Sequence, residues 1–308
     1  MAAGGSTRGL HYFRRGYFTE TGTMNSDPSL TMKVDEVLYE GQSKYQNIVM
    51  FTSKMFGRVL CLDNAIQCTE FDEFAYQEMI SFLPLNVHPD PQNVLIIGGG
   101  DGGVAREVSK HPGVKRIIQC EIDEDVIKLS KEHLPFMAEG FHSPKLDLKV
   151  GDGIDFVKNT TLRFDIVITD SSDPIGPAEV LYKDDYYQAL NNILKPGGII
   201  CCQGESMWFD LKFIGDVLRR CRAIFPSVAY SSIYIPTYPG GQIGFLLASN
   251  SANVDFVKAR TVFTDEDCER LKLRYYTNQV HEASFVLPRF VQKEVEKAIG
   301  EKNGEGKV

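Results

Sequence analysis

The sequence lacks clustered metal ligands. Its 6 histidines and 7 cysteines are scattered along 308 residues, without a Cys-x-x-Cys pair or a His-Glu-x-x-His motif. Zinc and related ions need several such side chains at short, fixed spacings. We therefore expect neither a structural nor a catalytic metal in this protein.

Long apolar segments and a surplus of basic residues are also missing. No run approaches the ~20 apolar residues of a membrane-spanning helix, and the opening segment MAAGGSTRGLHYF lacks the apolar core of a secretion signal. The 41 acidic and 33 basic side chains give a net charge of -8, which argues against nucleic acid or an anionic membrane as partner. A cationic ligand suits this charge better.

The cysteine count is odd, and most of the thiols sit inside apolar runs such as IICCQ. Scattered thiols of this kind are typical of buried side chains in a reducing compartment. Together with the missing signal and membrane segments, they predict a globular cytoplasmic protein. The cysteines are Cys61, Cys68, Cys120, Cys201, Cys202, Cys221 and Cys268.

What the sequence does contain falls into two regions of different pattern. Between residues 30 and 70, short β-rich runs alternate with turns, and Asp63-Asn64 marks a hairpin. The pattern predicts a small antiparallel β-domain over residues 16–72. Residues 1–15, which come before it, are expected to form a disordered tail.

A helix follows, with Asp72 as its cap and Pro84 as its expected end. From Asn93 onward, continuous apolar runs alternate with helical segments, as in a parallel sheet covered on both faces. Two closely spaced strands near the end predict an antiparallel hairpin. The predicted fold is α/β, a class I methyltransferase-like Rossmann sheet with an antiparallel terminal hairpin over residues 73–300. A frayed tail over residues 301–308 is expected to follow.

The clearest chemical signal is a strand that runs into a glycine turn, LIIGGGDGG, from Leu95 to Gly103. Glycines permit a positive φ and let the backbone approach a ligand closely. Glu121 ends the next strand, twenty-one positions after Gly100, where its carboxylate can accept hydrogen bonds from both ribose hydroxyls. Turn, acid and spacing together predict an adenosine-type ligand.

Asp101 separates this turn from the dinucleotide-binding alternative. An NAD-binding turn presents N–H groups and a helix dipole to a pyrophosphate, which a carboxylate in the same place would repel. A carboxylate attracts an ammonium instead. We therefore predict a cationic or neutral ligand end near Asp101; an NAD site, or a glycine turn needed only for packing, is the alternative.

Further acids follow at the ends of the next two strands: Asp152 with Gly153, then Asp170 and Asp173. Ligands of open α/β sheets bind outside the carboxyl ends of the strands, so we expect these acids to meet those of the two earlier strands in one crevice. Asp152 is placed to accept a hydrogen bond from an adenine amino group. Any one aspartate in such a position more often caps a helix locally. Five acids at successive strand ends favour binding.

The pair Asp170 and Asp173 suits a diamine, because one carboxylate can bind an ammonium while the other removes a proton from the attacking nitrogen. An alkylamine with a pKa near ~10.4 must lose a proton before it can attack. That deprotonation costs roughly 4.5 kcal/mol near pH 7. A buried carboxylate acting as base would offset this cost.

Aromatic and amide side chains complete the candidate set. Tyrosine faces can flank a polymethylene chain while hydroxyl and amide oxygens bind its ammonium ends. Each of these residues alone is more often a packing residue. Only their occurrence together supports a binding site for an amine. They are Tyr76, Gln77, Tyr238, Gln46 and Gln67.

These residues lie in stretches by which the chain resembles the eukaryotic spermidine synthases from about Gly16 to Phe290. That family transfers an aminopropyl group from decarboxylated S-adenosylmethionine to putrescine and releases methylthioadenosine. The resemblance also implies the family's N-terminal β-domain and a homodimer. The stretches are KYQNIVMFTS, LDNAIQCTEFDEFAYQEM, VLIIGGGDGGVAREV, QCEIDEDVI, VGDG, ITDSSDPIGPAE, CCQGES and IPTYPGGQIGF.

Carried over by position, the resemblance implies a role for each residue. Asp170 is the catalytic proton acceptor, and decarboxylated S-adenosylmethionine is a co-substrate, with no metal or prosthetic group. The donor would be bound by Gln46 and Asp101 at its aminopropyl end, by Glu121 at its ribose, and by Asp152 and Gly153 at its adenine. Putrescine would be bound by Tyr76, Gln77, Asp170, Asp173 and Tyr238.

The chain departs from its relatives at several positions. Tyr17 stands where a tryptophan is usual, so the acceptor pocket is expected to hold a tyrosine instead, and MNSDP replaces the usual WPGQ turn. Gln279 and Arg289 stand where an aspartate and a glutamate are common, and we expect both changes to lie outside the chemistry. The loop 172–182 is expected to close over the crevice.

Three other functions are compatible with parts of this pattern. The nearest is a putrescine N-methyltransferase, whose members tend to lose the acid of the glycine turn and the glutamine of YQEM, both present here as Asp101 and Gln77. A non-catalytic polyamine-binding protein would keep the ammonium contacts without needing a base. A spermine synthase fits less well, since we expect no large N-terminal extension. The length of the acceptor stays open.

Overall fold

The structure is a computed structural model that describes residues 13–21, 29–174 and 176–300. Most of the predicted N-terminal tail and all of residues 301–308 lie outside the described residues, as does the MNSDP segment. Phe13 and Arg14, which were expected to belong to the tail, form a short strand.

The N-terminal region contains two antiparallel sheets in place of one. The tight turn between the last two strands is formed by Asp63 and Asn64, whose φ values are 46° and 67°, so the predicted hairpin is confirmed. The three-stranded sheet consists of β1 (Phe13–Arg14), β2 (Tyr17–Thr19) and β3 (Thr31–Lys33). The four-stranded sheet consists of β4 (Glu36–Gln42), β5 (Asn47–Ser53), β6 (Gly57–Leu62) and β7 (Ala65–Thr69).

Helix α1 (Glu73–Val87) corrects two details of the prediction. It continues for three residues beyond Pro84, because the last turn is buried in the core between sheet and neighbouring helices, and this burial offsets the loss of one backbone hydrogen bond. Asp72 precedes the helix but makes no side-chain capping bond. Its carboxylate accepts instead from Thr69 and from Thr237, a residue distant in the sequence.

A seven-stranded sheet forms the second region. In spatial order its strands are β10 (Leu146–Val150), β9 (Arg116–Glu121), β8 (Asn93–Gly98), β11 (Phe164–Asp170), β12 (Leu194–Gln203), β14 (Gln242–Ser249) and β13 (Ser227–Tyr234). Of these strands, only β14 runs in the direction opposite to the others. The mostly parallel Rossmann-like sheet with an antiparallel terminal hairpin is therefore confirmed.

Helices cover both faces of this sheet, and each face has its own apolar cluster. The central strands are therefore buried over most of their length. Of the cysteines, all but the partly exposed Cys268 are buried, and none forms a disulfide. None of the described helices is long and apolar enough to cross a membrane. The remaining helices are α2 (Gly103–Lys110), α3 (Glu124–His133), α4 (Pro135–Ala138), α5 (Gly153–Asn159), α6 (Asp184–Ile193), α7 (Leu211–Ile224), α8 (Asp265–Arg270), α9 (Asn278–Ala283) and α10 (Arg289–Ile299), with 3-10 turns at Glu139–His142, Gly176–Tyr182 and Pro239–Gly241.

Candidate active site

A cavity of about 440 Å³ lies at the carboxyl ends of the parallel strands. The β4–β7 sheet and the connection between β13 and β14 supply its other walls. Every site residue predicted from the sequence lines this cavity, as does Gln67. They are Gln46, Tyr76, Gln77, Asp101, Glu121, Asp152, Gly153, Asp170, Asp173 and Tyr238.

The glycine turn brings the ends of β8 and β11 into contact. Gly98 and Asp170 are register partners, and the Gly99 N–H donates to the Asp170 carbonyl at 3.1 Å. Gly98 has φ of 84°, and a Cβ at this position would overlap that carbonyl oxygen. Only glycine permits this approach. The turn therefore places Asp101 and Asp170 at one end of the sheet.

Asp101 is held by donors on both sides. Its Oδ1 accepts from the Gly103 N–H at 2.6 Å, and its Oδ2 accepts from Gln77 Nε2 at 3.2 Å. Burial raises the pKa of Asp101, although the Gly103 hydrogen bond and the positive charge of Arg106 act in the opposite direction. The Oε1 of Gln77 is buried and has no hydrogen-bond partner in the described part of the chain. It is an acceptor that a ligand ammonium could satisfy.

Asp170 ends β11, and its pKa is shifted strongly upward. Burial, followed by the charges of Asp101 and Glu121, raises the pKa of Asp170 to about 8. The Tyr76 hydroxyl donates to its Oδ1 at 2.8 Å, which stabilises the carboxylate and opposes part of the shift. A carboxyl with a pKa near neutrality is suited to accept a proton from a substrate.

Glu121 ends β9 and is 8% exposed. Its Oε1 accepts from the Asp123 N–H at 2.8 Å. Burial raises the pKa of Glu121 to about 7, and the nearby Asp123 charge contributes. A carboxylate oriented by a backbone N–H can accept hydrogen bonds from hydroxyl groups, and the contact of Glu121 with a ribose stays a prediction.

Asp152 performs the local role that the sequence left open and also lines the cavity. Its Oδ1 accepts from the N–H groups of Ile154 and Asp155 at 2.7 and 3.4 Å, so it caps α5. Both capping bonds are made by the same carboxylate oxygen, Oδ1. The contact of Asp152 with an adenine stays a prediction.

Tyr76 and Tyr238 form the aromatic wall of the cavity, and Tyr76 also packs against the buried Phe245. The ring centroid of Tyr76 lies 5.9 Å from that of Tyr238 and 5.4 Å from that of Phe245. The Tyr238 hydroxyl donates to the Gln67 carbonyl at 2.6 Å, and the Tyr76 hydroxyl donates to Asp170. Both hydroxyl protons are used internally, so each oxygen offers a ligand only its lone pairs.

Four cavity acids escaped the sequence analysis as site residues, namely Glu20, Asp63, Glu205 and Asp210. Glu205 follows β12, and the rule of acids at strand ends, applied to CCQGES, would have found it. Glu20 comes from the N-terminal region, where no local pattern marks it; its Oε1 accepts from the Ile66 N–H at 2.8 Å. Burial raises the pKa of Glu20 to about 7 and that of Glu205 well above its usual value, and the charge of Asp173 adds to both.

Three of the departures from the family pattern, at Tyr17, Gln279 and Arg289, lie outside the described lining of the cavity. Tyr17 is 45% exposed and is not among the described residues that line the cavity, so the expected replacement of a pocket tryptophan is wrong here. The alternation of β2 turns Phe18 inward and Tyr17 outward. Gln279 and Arg289 are exposed and also lie outside the lining. Ala178, Val180 and Leu181 of the loop 172–182 do line the cavity, while closure of this loop stays a prediction.

Across the described ranges, no group of three or more histidine, cysteine or acidic side chains is arranged to hold a metal ion.

The lining of the cavity is strongly acidic. Nine carboxylates line it, and the described lining contains no lysine, arginine or histidine. The acids are Glu20, Asp63, Asp101, Glu121, Asp152, Asp170, Asp173, Glu205 and Asp210.

The sequence matches two family models in tandem. Residues 16–70 match the spermidine synthase tetramerisation domain, and residues 73–258 match the spermine/spermidine synthase domain. Spermidine synthase of Schizosaccharomyces pombe is 50% identical over 283 residues, which cover 92% of this chain and 95% of the relative. Spermidine synthase of Dictyostelium discoideum is 46% identical over 282 residues, covering 92% of this chain and 98% of the relative.

Solved structures with the same fold are similar over nearly the whole chain. A spermidine synthase in complex with the transition-state analogue AdoDATO superposes with a TM-score of 0.84 at 36% identity, covering 94% of this chain and 98% of that one. The spermidine synthase of Thermotoga maritima gives a TM-score of 0.83 at 35% identity, covering 94% and 97%. With both of its regions matched in order, the chain belongs to the spermine/spermidine synthase family.

Proposed function

We propose that this protein is a spermidine synthase, which transfers the aminopropyl group of decarboxylated S-adenosylmethionine to putrescine. The observation that carries the proposal is the cavity lined by nine carboxylates and, among its described residues, by no basic side chain. Such a cavity attracts cations and repels phosphates. Both substrates are cations, one a sulfonium with an ammonium tail and the other a diamine.

The donor fits the side of the cavity formed by the ends of β8, β9 and β10. Glu121 accepts from the ribose hydroxyls, and Asp152 with Gly153 binds the adenine at the start of α5. Asp101 and Gln46 accept from the ammonium of the aminopropyl tail. An ordinary S-adenosylmethionine would bring its carboxylate close to Asp101, and the repulsion between the two negative charges favours the decarboxylated donor.

The acceptor fits along the aromatic wall. Tyr76 and Tyr238 flank the polymethylene chain, and Gln77 and Asp173 bind it as well. Asp170 faces the attacking nitrogen, because it lies beside Asp101 at the β8–β11 contact. The far ammonium then reaches the end of the cavity that contains Glu20 and Glu205, two acids whose pKa values are raised by burial in the free protein.

The chemistry is a displacement at the carbon next to the sulfonium. The nitrogen of the diamine loses a proton to Asp170 and forms the new N–C bond while the S–C bond breaks. The bonding electron pair stays on sulfur, so the leaving group is neutral methylthioadenosine and needs no proton. The protein contributes by holding two bound reactants in line and by supplying the base.

The match of residues 16–70 to a tetramerisation domain supports an oligomer. We propose a homodimer in the cytoplasm with no nucleic-acid or membrane partner. Light scattering coupled to size-exclusion chromatography would give about twice the 34.5 kDa chain mass for a dimer and about four times for a tetramer.

The function is tested by one incubation of purified protein with both sulfonium donors and with putrescine and spermidine together, followed by mass spectrometry. Spermidine and methylthioadenosine are the expected products. N-methylputrescine would establish the methyltransferase alternative, and spermine as the main product would establish a spermine synthase. Binding of the amines without any product would establish a polyamine-binding protein.

A further inference from the structure

Asp123 is buried, with 1% exposed, and is not among the described residues that line the cavity, yet it contacts two that are. Its N–H donates to Glu121 Oε1 at 2.8 Å. Its Oδ2 accepts from Gln46 Nε2 at 2.9 Å and from Ser43 Oγ at 2.6 Å. Its Oδ1 accepts from the Asp125 N–H at 3.1 Å and so caps α3.

The residues that reach Asp123 from the N-terminal domain belong to one tight turn. The Ser43 N–H donates to the Gln46 carbonyl at 2.9 Å, and the Gln46 N–H donates to Ser43 Oγ at 3.1 Å. This turn joins β4 to β5 and is thus fixed to the loop that follows β9. Asp123 therefore connects the two domains at the donor side of the cavity.

The contact with Asp123 also determines the orientation of the Gln46 side-chain amide. A carboxylate only accepts hydrogen bonds, so the amide nitrogen of Gln46 must face Asp123. The Oε1 of Gln46 is then the end available to the cavity, which Gln46 lines. An amide oxygen binds an ammonium, whereas an amide nitrogen would repel it.

We propose that Asp123 is a positioning residue that orients the Gln46 amide toward the ammonium of the donor. The inference rests on the proposed function, because it takes Gln46 to bind the aminopropyl tail. Asp123 contacts neither substrate itself. It affects binding of the donor only by fixing the orientation of the Gln46 amide.

Asp123→Asn tests this orientation directly. Asparagine caps a helix about as well as aspartate, so Oδ1 can keep its bond to the Asp125 N–H. The new amide nitrogen then faces Gln46, which must turn its own oxygen toward residue 123 and its nitrogen toward the cavity. The dissociation constant for decarboxylated S-adenosylmethionine should rise about tenfold or more, as for loss of a hydrogen bond to a charged group.

Methylthioadenosine provides the control ligand, because it lacks the aminopropyl tail. Its dissociation constant, measured by calorimetry on the full chain, should change less than about threefold in the same variant. Asp123→Ser keeps an oxygen that can cap the helix, and it does not force the Gln46 amide to turn round. Its dissociation constant for decarboxylated S-adenosylmethionine should therefore lie between those of wild type and Asp123→Asn. If Asp123→Asn fails to fold, Asp123→Ser carries the comparison of the two ligands.

A double-mutant cycle with Gln46→Ala separates orientation from general damage. If Asp123 acts through Gln46, Asp123→Asn should weaken donor binding much less in the Gln46→Ala background than in wild type. Equal weakening in both backgrounds, or equal weakening of donor and methylthioadenosine binding, would overturn the proposal. Failure of the wild-type protein to bind the donor would instead overturn the proposed function.

Discussion

Asp170 links the chemistry of the site to a single titratable group. With a pKa of about 8 in the free protein, it is mostly protonated at pH 7 and must lose that proton to act as base. The rate kcat/KM should therefore rise with pH through an apparent pKa near 8. Because the Tyr76 hydrogen bond lowers the pKa of Asp170, Tyr76→Phe should move this limb to higher pH in a pH-rate profile.

Asp101→Asn should shift the same limb of the pH-rate profile in the opposite direction. The Asp101 charge raises the pKa of Asp170, so its removal should move the limb to lower pH. Identical profiles for wild type and both variants would show that another group, or the amine alone, controls the rate.

We also expect Asp101 to determine which sulfonium donor the protein prefers. Asp101→Asn should weaken binding of decarboxylated S-adenosylmethionine by about tenfold or more, since a charge-assisted hydrogen bond is lost. Binding of methylthioadenosine should barely change. The ratio of turnover with S-adenosylmethionine to turnover with the decarboxylated donor should rise, as measured from product masses. Equal turnover of both donors by the wild-type protein would contradict a selective role for Asp101.

At the scale of elements, Asp72 holds the β13–β14 connection in place. Its Oδ2 accepts from the Thr237 N–H at 2.8 Å and its Oδ1 from the Thr237 hydroxyl at 2.9 Å. Thr237 is buried and precedes Tyr238, which lines the cavity. The bonds therefore link the start of α1 to the aromatic wall.

Thr237→Val tests this link while keeping the shape of the side chain. Loss of the hydroxyl should lower the free energy of unfolding by about 1 to 2 kcal/mol and raise the KM for putrescine more than the dissociation constant of the donor. Thr237→Ser keeps the hydroxyl and serves as the matched control. Equal effects on both substrates, measured by steady-state kinetics and calorimetry, would assign the bond to stability alone.

The sequence was sufficient for the order of elements because its signals are local. Continuous apolar runs identified the strands of the parallel sheet, and Asp63-Asn64 identified a hairpin. The end of α1 was missed because the burial that lets the helix pass Pro84 comes from the rest of the fold. Asp72 was misread as a cap for the same reason, since its partner Thr237 is distant in the sequence.

The site could be predicted as far as it follows the ends of the parallel strands. Asp101, Glu121 and Asp170 come to one crevice because parallel strands end at the same edge of a sheet. Glu20 could not be found in this way, since it reaches the cavity from the packing of the N-terminal domain. The pKa of Asp170 is likewise invisible in sequence, because it depends on burial and on neighbours brought together by the fold.

At the scale of the whole molecule, the acids of the cavity make stability depend on pH. Burial raises the pKa of Asp170, Glu121 and Glu20 above their unfolded values of 3.8 to 4.5, so the folded state holds protons that the unfolded state has released. Their protonated forms favour folding, and this contribution is lost as pH rises through the folded pKa values. The free protein should become less stable between about pH 4.5 and pH 8.

Denaturant unfolding at pH 5.5, 7 and 8.5 measures this loss. Asp170→Asn should reduce the fall in the free energy of unfolding, because the variant has one carboxyl fewer to deprotonate. Saturating methylthioadenosine with putrescine should also reduce it, since bound cations stabilise the carboxylates. A stability that rises over this interval in the free protein would contradict the assigned direction of the pKa shifts.

The central claim is that acids at the strand ends divide the work between binding the donor and deprotonating the diamine at Asp170. Single-turnover product formation by Asp170→Asn, with both substrates at saturating concentration verified by calorimetry, tests it most directly. The account predicts a rate lower by about 10² to 10⁴ with donor affinity nearly unchanged. Spermidine formation at the wild-type rate by this variant would contradict it.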